Sequence, residues 1–148
     1  MEIFTQIEIR GTEAAVDELV AVVHILKDFG PELMERESEV ASRLPRHFAE
    51  KFSKEMSEAD KVAWLHRWRA ASSGEKARLE EERGWELGQW LYWFSPKNEY
   101  WRVVDVVKSA DPLSCSILLE CDDEQFPREA LEWLAACVGG ELIDIRPA

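Results

Sequence analysis

The stretch CSILLECDDEQFPREALEWLAACVGGELIDI, residues 115–145, reads in order as a strand, an acidic turn, a helix and a second strand. Its first part alternates between apolar and polar residues, which is the period of a strand with one buried face. The apolar positions of this alternation are Cys115, Ile117, Leu119 and Cys121. Ile143 and Ile145 begin a similar alternation at the other end. The stretch therefore predicts two strands, over 115–122 and 141–146, joined by a helix.

The helix between these strands carries signals at both of its ends. Three acidic residues precede Pro127, which is favoured at the first helical position because its missing N–H would be unpaired there anyway. Acidic side chains are stabilised at that end because the helix dipole is positive there. Gly139-Gly140 supplies the left-handed residue with which many helices end. These signals predict a helix over residues 127–138.

The N-terminal part of the chain, up to Gly30, repeats the strand and helix pattern. Alternation from Ile3 to Arg10 predicts a first strand, and Thr12 is a favoured residue type for a helix N-cap. A wide apolar stripe then predicts a mostly buried helix over 13–29, which Gly30-Pro31 ends.

Valine-rich residues 100–108 predict a further strand, and the turn at Asp111-Pro112 connects it to the strand that begins at Cys115.

Residues 32–94 have helical periodicity throughout. Ser57 with Asp60, and Ser72 with Glu75, resemble helix-capping pairs that begin two of the helices. Residues 85–94 fit a helix better than a strand, since their large apolar residues recur at helical spacing. We expect these residues to extend the preceding helix, although Gly84 and Gly88 oppose this by about 1 kcal/mol each.

The resulting order predicts an α+β fold in a single domain spanning residues 1–148. Without its middle helices the chain reads βαββαβ, the ferredoxin-like pattern of a four-stranded antiparallel sheet with two helices on one face. Residues 1–30 and 95–148 would form the sheet part. Residues 31–94 would be a long helical insertion between the first helix and the second strand. We expect this insertion to cover the open face of the sheet.

The C-terminal half also resembles the YubB-type ferredoxin-like domains of bacterial and phage proteins. The resemblance lies in the element order and in the placement of tryptophans, with a helix over 85–94 followed by Tyr100-Trp101 and residues 103–145. The turn typical of that family is replaced here by residues 95–98. The resemblance implies the fold and transfers no catalytic residue.

The charge of the chain is strongly acidic and unevenly distributed. The net charge is −12, of which residues 1–30 contribute −4, residues 31–83 contribute −1 and residues 84–148 contribute −7. Nucleic-acid binding is disfavoured because phosphate backbones are bound by clusters of lysine and arginine. A basic protein partner fits this charge, with Glu120, Asp122, Asp123 and Glu124 as the densest group of candidate contact residues. The helix dipole alone also accounts for the last three.

Motifs for catalysis, metals or cofactors are missing from the sequence. It has no HExxH, Cys-x-x-Cys, P-loop, GxGxxG or GxSxG, so we expect no metal and no cofactor. The three cysteines lie on apolar faces and are predicted to be reduced thiols. Met1 leads directly into a strand pattern, without a secretory signal or a membrane-spanning run, which predicts a cytoplasmic protein without membrane contact.

Three functions remain open from the sequence. The first is a non-enzymatic bacterial interaction protein, in concrete form immunity- or antitoxin-like, that binds a basic protein. The second is a small-molecule-binding regulatory domain with an aromatic pocket between the sheet and the helical insertion, lined by Tyr92, Trp93 and Trp101. The third, an enzyme that uses carboxylates in the same cleft, has the least support. A homodimer formed through the open sheet face is compatible with each of them.

Overall fold

Four strands form one antiparallel sheet in the computed structural model, which describes residues 3–54, 56–95, 101–121 and 128–148 apart from the side chains of Ile3 and Trp101. The strands are β1 (Ile3–Arg10), β2 (Trp101–Lys108), β3 (Ser114–Cys121) and β4 (Glu141–Pro147). Their order across the sheet is β2-β3-β1-β4. The central strands β1 and β3 pair with each other, and each pairs with one edge strand. The prediction of an α+β protein with an antiparallel sheet is confirmed.

The described residues also form helices, which we number in chain order. They are α1 (Glu13–Phe29), α2 (Glu37–Arg43), α3 (Arg46–Ala49), α4 (Glu58–Ala70), α5 (Ser73–Arg83), α6 (Leu87–Tyr92) and α7 (Arg128–Val138), with a 3-10 turn at Gly30–Glu32. The predicted cap of α1 is confirmed, because the Thr12 side chain accepts a hydrogen bond from the Ala15 N–H at 3.1 Å. Gly30 and Gly139 follow α1 and α7 with positive φ angles of 50° and 86°. Both helices therefore end where the sequence predicts.

One face of the sheet carries the main core. α1 packs on β2 and β3, α7 packs on β4, and the two helices contact each other. Alternate residues of the central strands point into this layer, and Ile7 and Ile117 are completely buried there. Leu19 of α1 and Leu134 of α7 are completely buried on the helix side. The period-two and helical apolar patterns thus meet in a single hydrophobic core.

Residues 31–94, which we call the helical segment, pack on the helices and not on the far face of the sheet. α2 contacts α1, and α3 contacts α7. The rings of Phe48, Phe52 and Trp90 surround Trp133 of α7, with ring centres 5.0–6.2 Å from it. On the far sheet face, Phe4 remains 40% exposed. The expectation that the helical segment covers this face is wrong, because its aromatic side chains are buried against α7 instead.

The chain breaks between α5 and α6 at Gly84. This glycine has a φ angle of 65°. Side-chain-bearing residues rarely adopt such an angle, and the helix ends there. The next residues run extended, and the Ser53 N–H donates to the carbonyl oxygen of Trp85 at 2.8 Å. Trp90 and Leu91 in α6 are then fully buried, as the helical spacing predicts. The helical assignment is confirmed, but the prediction of continuity with the preceding helix is wrong.

Candidate functional site

The predicted acidic patch is described only at Glu120. This residue lies on β3, opposite Arg102 of β2 and Phe4 of β1, on the far face of the sheet. Its carboxylate forms an ion pair with the Arg102 guanidinium, and only 9% of its side chain is exposed. Its charge is therefore largely compensated within the chain. Asp122, Asp123 and Glu124 lie outside the described residues.

The predicted aromatic residues do not form one described pocket. Tyr92 and Trp93 lie at the end of α6, are 42% and 40% exposed, and contact each other edge to face at 5.8 Å. Trp101 lies in β2, and its side chain is outside the described part of the structure. A groove of about 290 Å³ opens nearby, between the end of α1 and β2. Its lining residues are Leu26, Lys27, Gly30, Pro31, Phe94, Arg102, Val103 and Val104, so Phe94 is the aromatic residue that the helical segment contributes.

A second region is built from α4 and α5, which form a helical hairpin over residues 58–83. Both helices begin at the predicted serines, since the Ser57 and Ser72 side chains accept hydrogen bonds from the N–H groups of Asp60 and Glu75. α4 has no buried residue, and its half-buried side chains Lys61, Trp64 and Trp68 recur at helical spacing on one face. The hairpin therefore packs through a narrow stripe and not through a hydrophobic core.

Tryptophan faces and cations hold the hairpin together. Trp64 and Trp68 stack nearly parallel, with ring centres 6.4 Å apart. The Lys76 ammonium lies 4.5 Å above the Trp68 ring, and the Arg83 guanidinium lies 5.1 Å above the Trp64 ring. Such cation–π contacts contribute about 0.5–2 kcal/mol each, depending on their exposure. The indole N–H of Trp68 also donates to a carboxylate oxygen of Glu80 at 3.2 Å.

The hairpin joins the rest of the molecule over a short stretch of chain. Ser53 donates a side-chain hydrogen bond to the Arg83 carbonyl, and the Arg83 guanidinium pairs with Glu86 at 3.2 Å. The Met56 N–H reaches the same Glu86 carboxylate at 3.4 Å. These contacts orient the hairpin so that one side of it faces α7.

A cleft of about 700 Å³ opens where the hairpin faces α6 and α7. It is lined by the tryptophans Trp64, Trp85 and Trp133, the carboxylates Glu80, Glu81 and Glu129, and Arg83, Gly84 and Gln89. The tryptophans are half-buried and the carboxylates are exposed. Among the described residues, no basic side chain forms an ion pair with Glu81 or Glu129. We call this site the tryptophan cleft.

The tryptophan cleft has the chemistry of a cation-binding site. Indole faces attract ammonium and guanidinium groups through their quadrupole, and adjacent carboxylates add a Coulombic attraction. Three carboxylates face one guanidinium in its lining, and that guanidinium already pairs with Glu86. A ligand with positive charge is therefore favoured over an anionic one.

Sequence reasoning did not identify this cleft. Two of its lining residues, Trp64 and Trp133, lie far apart in the sequence. No short sequence pattern predicts that these two residues line the same cleft, because their proximity depends on how the hairpin is oriented relative to α7. The sequence does show Trp64 and Trp68 four residues apart, a spacing that places both on one side of a helix and indicates packing against a neighbouring element.

The described residues contain no arrangement typical of hydrolytic or metal chemistry. No group of three or more His, Cys, Asp or Glu residues within them could hold a metal ion. Burial raises the pKa of the Cys115 and Cys137 thiols to about 11, which disfavours the thiolate that nucleophilic attack requires. Within the same residues, no helix has both the length and the apolar character needed to cross a membrane.

Comparison of the chain with protein-family models, with curated proteins and with solved structures gave no significant match.

Proposed function

We propose that the protein is a non-enzymatic interaction protein that binds a basic protein partner in the tryptophan cleft. The observation that carries the proposal is the joint presence, around one cleft, of three tryptophans and of Glu81 and Glu129, two carboxylates without an ion-pair partner among the described residues. The Arg83 guanidinium already covers one face of the Trp64 ring. A lysine or arginine side chain of the partner would lie against an indole ring, and its cationic group would form an ion pair with one of the carboxylates. In concrete form, this is a cytoplasmic bacterial protein of the immunity or antitoxin type that masks a cationic surface.

The charge of the whole chain supports the same partner class. A net charge of −12 attracts cationic proteins over several ångströms and raises the rate of encounter, which salt then screens. Charge complementarity of this kind contributes mainly to partner selection and association rate. The half-buried tryptophans would supply the short-range affinity, because tryptophan is enriched among the residues that dominate binding energy.

The proposed scaffold is a ferredoxin-like domain with a helical insertion, of the kind that YubB-type proteins carry. Support comes from the strand order β2-β3-β1-β4, with an antiparallel sheet covered on one face by α1 and α7. In this view the insertion forms a third layer on the helices. It contributes one wall of the cleft, and α7 contributes the other.

The test measures binding of oligolysine and oligoarginine peptides to the intact protein by tryptophan fluorescence and calorimetry. We expect saturable binding that weakens as salt increases, and no binding of oligoglutamate. The Glu81→Gln and Glu129→Gln variants remove charge from exposed positions and should each weaken binding by about twofold to fivefold.

Glu75→Gln is the matched control, since Glu75 is also exposed on α5 but does not line the cleft. It should bind like the wild type. Equal losses in the control and the cleft variants would show that the peptides bind only to general negative charge. The proposed cleft would then be incorrect.

A second candidate function is binding of a small molecule in the groove between α1 and β2. Its apolar wall, which includes Leu26 and Phe94, lies beside the cationic side chains of Lys27 and Arg102. This combination favours an amphipathic ligand whose carboxylate or phosphate replaces the ion pair of Lys27 with Asp105 or that of Arg102 with Glu120. A melting-temperature screen of small organic acids and phosphates tests it. We expect a stabilising shift that the Arg102→Gln variant reduces, and a flat response across the screen would exclude this function.

A further inference from the structure

The outer face of α4 carries a short stripe of exposed residues with a distinctive order. Glu58, Val62, Leu65 and Arg69 follow each other at spacings of four, three and four residues, which places them on one side of an α-helix. Val62 and Leu65 are 66% and 41% exposed. The stripe therefore has an acid at its start, two exposed apolar residues in its middle and a base at its end.

The charged ends of the stripe have few interactions within the chain. Arg69 forms no ion pair with any described residue. Glu58 is 92% exposed and approaches only the neighbouring Lys61, at 3.7 Å, among the described side chains. The remaining faces of α4 differ, because its half-buried Trp64 and Trp68 are directed toward α5 and hold the hairpin.

The stripe is complementary to itself when two copies run antiparallel. Such a pairing places Glu58 opposite Arg69 of the second copy and Val62 opposite its Leu65, and the two-fold axis repeats both contacts. Two helices in this arrangement pack with their axes about 8–10 Å apart, close enough for these four side chains to interdigitate. We propose that α4 is a self-association surface through which two copies of the chain form an antiparallel helix pair.

The order of residues favours a second copy over other partners. A purely basic partner would meet repulsion at Arg69, and a purely acidic partner would meet repulsion at Glu58. A second α4 satisfies both ends with the same four residues. Stable complexes bury roughly 1200 Å² or more, which a single pair of helices as short as α4 does not reach. The dimer should therefore be weak and dependent on concentration.

This surface is separate from the tryptophan cleft, because Trp64 faces α5 and the stripe lies on a different side of α4. Sedimentation equilibrium of the full chain over a range of protein and salt concentrations tests the pairing. We expect a monomer–dimer equilibrium in the wild type. Glu58→Arg and Arg69→Glu should each raise the dimer dissociation constant by about tenfold or more, because each creates two like-charge contacts. The double variant should restore dimerisation, since the swapped charges again face each other.

Asp60→Arg and Arg67→Glu are matched controls, because they make the same charge changes on the opposite side of α4. They should dimerise like the wild type. Val62→Gln, which leaves the charges unchanged, should weaken the dimer. Circular dichroism of each variant tests whether its helix content is that of the wild type. A wild type that remains monomeric at all concentrations, or a double variant no better than the single ones, would overturn the proposal. Neither result would affect peptide binding in the cleft.

Discussion

The indole nitrogen of Trp90 donates a hydrogen bond at 3.2 Å to the carbonyl oxygen of Ala130, a residue far along the chain. Trp90 is completely buried, and Phe48, Phe52, Phe94 and Trp133 lie within 4.5–6.2 Å of its ring. The contact joins α6 to α7. It is one link between the helical segment and the helices that cover the sheet, beside the contacts of α2 with α1 and of α3 with α7.

Replacing this tryptophan should destabilise the whole protein. Trp90→Ala removes a fully buried ring and leaves a cavity among aromatic neighbours, which costs about 3–5 kcal/mol of unfolding free energy. Urea denaturation followed by circular dichroism measures the loss. Tyr92→Ala is the control in the same helix, where the Tyr92 side chain is exposed. Its cost should stay within about 1 kcal/mol, as is usual at the surface. Similar losses in the two variants would contradict the assigned packing.

Alanine substitutions of the two glycines at opposite ends of α5 should change the stability of the protein in opposite directions. Gly84 has a positive φ angle, and an added Cβ would lie 3.3 Å from the Ser53 hydroxyl oxygen. Gly84→Ala should therefore cost about 1–3 kcal/mol. Gly74 lies within the helix in open space, and Gly74→Ala should stabilise by up to about 1 kcal/mol. Melting temperatures of the two variants measure the difference. A higher melting temperature of Gly84→Ala would contradict the positive φ angle that ends α5 at this glycine.

Alkaline pH should destabilise the fold through the thiols of Cys115, which is buried, and Cys137, which is half-buried. Desolvation raises the pKa of Cys115 and Cys137 to about 11, so the folded state keeps their protons where the unfolded chain loses them. The unfolding free energy should therefore decrease as the pH rises from about 8.5, the ordinary thiol pKa, to about 11. The double variant Cys115→Ala/Cys137→Ala should show a smaller decrease over the same range. An unchanged slope would show that these thiols do not carry the effect.

Acidic pH should remove the stabilising contribution of Asp111. The Leu113 N–H and the Arg10 guanidinium both lower the pKa of its carboxyl group. Because the folded pKa is below the unfolded value of about 3.9, the contribution is complete above that value and disappears as the pH falls through the folded pKa. Asp111→Asn should thus lower the melting temperature at neutral pH and match the wild type in strong acid. A constant difference at all pH values would contradict this linkage.

The sequence predicted the sheet and its two covering helices closely because their signals are local. Alternation in residues 3–10 and 115–121, the Thr12 cap and the glycines at 30 and 139 each act within a few residues of the element that they define. The helix at Leu87–Tyr92 was also predicted from its spacing. Its separation from α5 was not, because periodicity continues across Gly84 and only the backbone angle of that glycine breaks it.

The position of the helical segment could not be predicted in this way. Its aromatic residues Phe48 and Phe52 are compatible with burial against either the sheet or the helices. The outcome depends on Trp133, which lies far away in sequence and contacts both rings. The tryptophan cleft shares this origin, since its walls come from α4, α5, α6 and α7. Only the general acidity that favours a basic partner was visible in the composition.

α4 contains no buried residue, so its exposed positions should be less constrained in evolution than the positions of the core. Substitutions on the outer side of α4 leave the core unchanged. They can therefore accumulate without the loss of stability that usually removes substitutions at core positions. Residues such as Trp90 and Ile117 have no such freedom, because their neighbours fix their shape. We therefore expect related chains to differ most on the outer side of α4 while they keep the aromatic packing around Trp133. The specificity of association could then diverge faster than the fold that supports it.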